Sequence, residues 1–163
     1  MNGRATRCRE IRVGLRIAVM AMVLSLLFAA APWASAAIKI ARIRYNPPGA
    51  DSGTNRHLNH EFIVIRNAGP HRVVLTGWTI VEQQADLVFT FPRFRLSGHD
   101  KVRIHSGVGT DSRYDLFWND NMYHWDNGLD TAILRDRDDD RIDRCHYVND
   151  PEVKQWLGHM AEC

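Results

Sequence analysis

Glu61-Phe62-Ile63-Val64-Ile65 is apolar at four consecutive positions behind a single carboxylate, so both parities of a strand are apolar and both of its faces must be covered. The run stops at Asn67-Ala68-Gly69-Pro70, a cluster of turn residues, and Val73-Val74-Leu75 then leads into Thr76-Gly77-Trp78-Thr79-Ile80. Upstream, Ile38-Lys39-Ile40 through Tyr45 is another β-type run, closed by Pro47-Pro48, which cannot continue a ladder. A polar loop fills residues 49–59. Downstream, the same rhythm repeats at Leu87 to Phe91, Phe94 to Leu96, Val102 to His105, Leu116 to Trp118, Tyr123 to Trp125, Thr131 to Leu134 and Ile142 to Val148. No segment before residue 150 keeps a helical period for more than a turn. The expectation is an all-β protein of about eight to ten strands.

The chain has 163 residues, 45% apolar and 25% charged, which suits one ordinary domain. Its first 36 residues are of another kind. Arg4, Arg7, Arg9, Arg12 and Arg16 precede an apolar run from Ile17 to Ala31, and Ala34-Ser35-Ala36 follows: the layout of a secretory signal peptide. Five of the 21 Lys+Arg and one of the 19 Asp+Glu fall in this segment, so the remaining 127 residues carry 16 cations against 18 anions, a net of −2. The expected mature chain is therefore slightly acidic, secreted or held in the cell envelope, and free of any second apolar run of membrane length. It keeps two cysteines, Cys145 and Cys163. In an oxidising compartment these are expected to pair, the competing readings being a free thiol and a bridge to another chain.

The tail from residue 150 to residue 163 carries a different pattern. Asp150-Pro151 reads as a helix start, and Val153, Trp156, Leu157 and Met160 fall at i, i+3, i+4 and i+7, as in a short amphipathic helix. An ordered coil pinned by the disulfide is the alternative.

Asn59-His60-Glu61-Phe62-Ile63-Val64-Ile65-Arg66-Asn67, Val74-Leu75-Thr76-Gly77-Trp78-Thr79-Ile80, Phe89-Thr90-Phe91-Pro92, Leu96-Ser97-Gly98 and Val102 to Gly109 stand in one order, followed by Trp118, Trp125 to Leu134 and Asp143 to Tyr147. Over about residues 38–148 this series resembles the lamin tail domain. The resemblance implies an immunoglobulin-like β-sandwich over residues 37–149. It also implies a binding or structural module without a shared catalytic site or cofactor. A single copy behind an export signal, with no coiled-coil rod, resembles the small secreted bacterial members. Arg141 stands where the last hairpin of the family often carries Gly. Within the pattern, Gly77 permits a backbone bend beside Trp78, which supplies inter-sheet burial. Asn127-Gly128 before Asp130 is a turn signal, and Glu61 with Asn59 is expected to satisfy loop backbone donors. Trp118 and Trp125 complete this structural set.

Reactive constellations are sparse. His57, His60 and Glu61 invite a metal-dependent hydrolase reading, but zinc hydrolases space such ligands on a helix, and here the loop feeds a strand. His99 and His105 lack a third ligand in register. Asp136, Asp138, Asp139, Asp140 and Asp143 lack the Gly and Glu of a calcium loop and read as a hairpin tip. Tyr114, Phe117, Trp118, Tyr123, His124 and Trp125 permit a carbohydrate-stacking alternative, against which stands their value as core. The more informative feature is alternation: Arg93 and Arg95 around Phe94, and Lys101 and Arg103 around Val102, put cations on the outer face of each strand. A turn at Gly98-His99-Asp100 sets Arg95 opposite Arg103, a repulsive pair unless an acid or an external anion relieves it. The four cations are therefore expected to form either a solvated face compensated by acids from elsewhere in the sandwich or, as the functional alternative, an anion-binding surface for a cell-envelope polymer or extracellular nucleic acid.

Overall fold

The computed structural model describes residues 37–149 and 159–163, so the expected signal segment and most of the proposed tail helix lie outside the described residues. The described chain is nearly all strand. In order it runs β1 (Ile38–Asn46), a one-turn helix α1 (Asn55–Leu58), β2 (Phe62–Asn67), β3 (Val73–Val74), β4 (Thr79–Glu82), β5 (Leu87–Thr90) and β6 (Arg95–Leu96). It continues with β7 (Lys101–His105), β8 (Asp115–Phe117), β9 (Leu129–Arg135), β10 (Arg141–Val148) and β11 (His159–Glu162). One sheet has the order β11-β1-β2-β7-β8, a second β10-β9-β4-β5, and β3 with β6 forms a short ribbon.

Period-two patterning explains the layering. Ile38, Ile40 and Ile43 of β1, Ile63 and Ile65 of β2, and Val102 and Ile104 of β7 turn one face of the five-stranded sheet into the core. Ile80, Phe89, Ala132, Leu134 and Tyr147 of the four-stranded sheet meet them in the same apolar cluster, with Trp78 and Trp125 filling it further. This is an immunoglobulin-like sandwich, as the family resemblance implies.

Three local expectations need correction. β6 pairs with β3, setting Arg95 level with Val74, while β7 pairs with β2 and sets Arg103 level with Val64. Arg95 and Arg103 therefore never face each other. Residues 97–100 carry the chain between sheets instead of closing a hairpin, and Asn67 fixes the passage: its Nδ2 donates to the Leu96 and Ser97 carbonyls, and its backbone N–H donates to the Asp100 carbonyl. Gly98 is required there because a Cβ would come within 2.1 Å of the Pro70 carbonyl oxygen. Gly98→Ala is expected to lower stability by about 1–3 kcal/mol, read by thermal denaturation.

The second correction is at residues 123–125, which form no strand, because the His124 and Trp125 amides are drawn to the Glu61 carboxylate. The third concerns the tail. Its last residues form β11, antiparallel to β1 with Met160 level with Arg44, so Met160 is not part of a helix. The otherwise open edge of β1 offers backbone groups that these residues take up. The Cys145–Cys163 bond secures the arrangement, with Cα atoms 5.5 Å apart.

Turn chemistry is partly as expected. Gly77, where a bend or a close approach beside Trp78 is expected, has a φ of +79°, in the left-handed region. At Asn127-Gly128 the turn is made differently: Asp126 Oδ1 accepts from the Gly128 and Leu129 amides, and neither Asn127 nor Gly128 has positive φ. In the last hairpin Asp139 takes the left-handed conformation, with φ +67°, so Arg141 need not.

Candidate anion-binding face

The outer face of the five-stranded sheet is built from the residues that alternate with the core. Register places Lys39, Arg66 and Lys101 level with one another on β1, β2 and β7. Neighbouring strands lie about 4.8 Å apart, so Arg66 has a cation on either side at close range. The next row along the strands reads Glu162, Arg42, Val64, Arg103, Asp115. The third contains Met160, Arg44, Phe62, His105 and Phe117. Six of these positions are Lys or Arg.

The second row is internally balanced and the first is not, while Arg44 in the third has no acidic partner among the described residues. Arg42 Nε lies 2.6 Å from Glu162 Oε1, and Arg103 Nε lies 2.8 Å from Asp115 Oδ1, which His105 Nε2 also approaches at 2.9 Å. Partial burial works to raise the Asp115 carboxyl, but the hydrogen bond with His105 and the Arg103 charge together hold it below its ordinary range. Arg44 and Arg103 both approach the Phe62 ring, with guanidinium carbons 5.8 and 6.0 Å from its centroid, which removes that ring as a stacking platform. In the first row Lys39 Nζ lies 4.0 Å from Asp143 Oδ1, the outer limit of an ion pair. Arg66 and Lys101 have no acidic partner among the described residues. Like charges level across strands cost stability unless compensated. Lys39, Arg66 and Lys101, with Arg42, His99 and Glu162, line an open depression of about 580 Å³.

Of the four cations picked out from sequence, Lys101 and Arg103 lie on this face. Arg93 and Arg95 do not; they line a second depression with Arg113. Lys39, Arg42 and Arg66 were missed, although Ile38-Lys39-Ile40 carries the same alternation that singled out Lys101. Register alone reveals that the three first-row cations are level.

The remaining candidates are occupied structurally. Glu61 is wholly buried; its Oε1 accepts from Ser106 Oγ at 2.6 Å and from the amides of His124 and Trp125 at 2.6 and 3.3 Å. Burial pushes its carboxyl up to about 7 against those three hydrogen bonds. His57 instead hydrogen-bonds Tyr123 Oη through Nδ1 at 2.6 Å, and no group of three or more metal-capable side chains converges among the described residues. His57, His60 and Glu61 are thus not brought together as ligands. Asp130 is also buried; desolvation and a hydrogen bond with Glu82 raise its carboxyl. At the acidic hairpin tip, Asp136 Oδ1 accepts from the Asp138 and Asp140 amides, both at 3.0 Å.

The aromatic set forms no exposed platform. Trp125 is 3% exposed, and His124 stacks on Trp118 with centroids 4.1 Å apart, while Trp118 meets Trp125 edge to face. Tyr114 is half exposed, but the Arg113 guanidinium covers it at 4.2 Å.

Among the described residues, the buried carboxylate of Glu61 thus serves the loops of an immunoglobulin-like sandwich, and Arg66 and Lys101 lie without an acidic partner on one sheet face. Residues 31–149 match the family described as Lamin Tail Domain, and the chain belongs to that family. Comparison with curated proteins gives no match.

Proposed function

We propose that this lamin tail domain acts as an exported, noncatalytic module that holds an anionic polymer of the cell envelope on the outer face of its five-stranded sheet. The observation that carries the reading is the row Lys39, Arg66, Lys101, whose central and outer members lack acidic partners among the described residues. The first 36 residues and the cysteine pair support export. A polymer bearing one phosphate per repeat suits a row of three level cations, two of which lack an acidic partner among the described residues. Duplex nucleic acid suits it less well, because its affinity depends on neutralising many phosphates and the expected mature chain carries a net charge of −2.

Arg66→Gln with Lys101→Gln is expected to abolish retention on immobilised long-chain polyphosphate at low salt, while Arg42→Gln, which removes a cation already paired with Glu162, changes it less. Retention of the double variant equal to that of the parent protein overturns the proposal.

A further inference from the structure

The depression that Arg93 and Arg95 share with Arg113 has a different construction from the sheet face. Arg93 and Arg95 flank buried Phe94, and both line the depression. Arg113 comes from the loop just before β8. The three arginines line a space of about 530 Å³ together with Pro92, Phe94 and Leu116, of which Pro92 is exposed and Phe94 and Leu116 are buried, and the Arg113 guanidinium rests over the Tyr114 ring. None of the three arginines has an ion-pair partner among the described residues. Asp111 is the single acid of the lining, and its Oδ1 is engaged in accepting the Phe117 amide at 3.1 Å. The lining therefore carries three positive charges against one negative.

We propose that this depression is a second site, for a phosphate monoester carried on an apolar body. Each part of the ligand follows from the lining. Guanidinium forks match oxyanions in planar, paired hydrogen bonds, which favours phosphate, sulfate or carboxylate over halide. The excess of two positive charges matches the near-dianion of a phosphate monoester at neutral pH better than the single charge of a carboxylate or sulfate ester. The exposed Pro92 ring in the lining gains only when the anion brings apolar surface with it, so a bare inorganic anion leaves that contribution unused. The site shares no lining residue with the sheet face, and its occupancy does not depend on polymer binding there.

Titration calorimetry of the exported protein with phenyl phosphate, inorganic phosphate and benzoate tests this. Phenyl phosphate is expected to saturate one site, with inorganic phosphate and benzoate each at least about ten-fold weaker. Arg95→Gln and Arg113→Gln are each expected to weaken phenyl phosphate by about ten-fold or more, the loss of one charge-assisted contact. Both positions are exposed, and an unchanged circular dichroism spectrum and melting temperature establish that each variant is folded. Arg66→Gln with Lys101→Gln is expected to leave phenyl phosphate binding unaltered while losing polyphosphate. Equal affinity for the three anions, or phenyl phosphate binding unchanged in both arginine variants, overturns the second site. Loss of phenyl phosphate in the Arg66 and Lys101 variant overturns its independence from the sheet face.

Discussion

Glu61→Ala is expected to destabilise the domain by about 3–5 kcal/mol, enough to unfold a large fraction of it at 37 °C. Three donors converge on one carboxylate oxygen: the Ser106 hydroxyl and the amides of His124 and Trp125. All lie where water cannot replace the lost acceptor, and each buried donor left unmatched costs about 1–3 kcal/mol. The same carboxylate shapes the segment ahead of β9, since residues 123–125 have no ladder partner to hold them. Glu61→Gln keeps an oxygen for the three donors and is expected to fold.

The pair of variants also separates charge from geometry. Burial lifts the Glu61 carboxyl from an ordinary value of 4.5 to about 7 in the folded protein. The native state therefore holds the proton more tightly than the unfolded chain does. Its contribution is fully present below pH 4.5 and is lost as pH rises to about 7. Asp130, raised in the same direction, adds to this slope, while His124, whose imidazole burial holds below its ordinary value, works against it on acidification. Subtracting the urea-unfolding stability of Glu61→Gln from that of the parent at each pH isolates Glu61. The difference is expected to fall between pH 4.5 and 7 and to be flat above that window. A difference that rises across this window contradicts the buried, proton-holding assignment.

Removing the disulfide is the other large effect. Cys145 lies on β10 of the four-stranded sheet and Cys163 just beyond β11 of the five-stranded sheet, so the bond joins the two layers at one edge. The Ile40 amide, freed where β1 bulges between Ile40 and Arg42, reinforces the seam by donating to Asp143 Oδ2 at 2.9 Å. With a sequence separation of 18 between the cysteines, closing this loop in the unfolded chain is worth about 3 kcal/mol. Cys145→Ser with Cys163→Ser is expected to lower the melting temperature by about 10 °C. Hydrogen exchange in the β1 backbone that pairs with β11 should rise before exchange in β2. Unchanged exchange at β1 contradicts the tethering role.

The strands of the sandwich were legible because its core obeys a period of two: alternation or continuous apolar character marks β1, β2, β7 and β10 without reference to any partner. What was not legible depends on pairing across distance. Leu96 and Val102, separated by turn residues, read as a hairpin, and only the passage fixed by Asn67 and Gly98 shows that the chain changes sheets there. At the end of the tail, Met160 departs from its expected place for a related reason. Met160 shares a helical spacing with Val153, Trp156 and Leu157, which lie outside the described residues, yet it meets an open β1 edge whose ladder a four-residue strand can complete. The structural role of Glu61 was readable from a lone carboxylate ahead of an apolar run, whereas the identity of its donors was not. For the candidate site, Lys101 and Arg103 were visible from alternation. Arg66 and Lys39 were not singled out, because their meaning lies in being level with Lys101 on neighbouring strands.

The salt dependence of polyphosphate affinity tests the anion-binding face most directly. With the three first-row cations Lys39, Arg66 and Lys101 engaged, log K against log salt concentration is predicted to have a slope of about −2, weakening to about −1 in Arg66→Gln with Lys101→Gln. A slope near zero in the parent protein, or the same slope in both proteins, contradicts the assignment of function to this face.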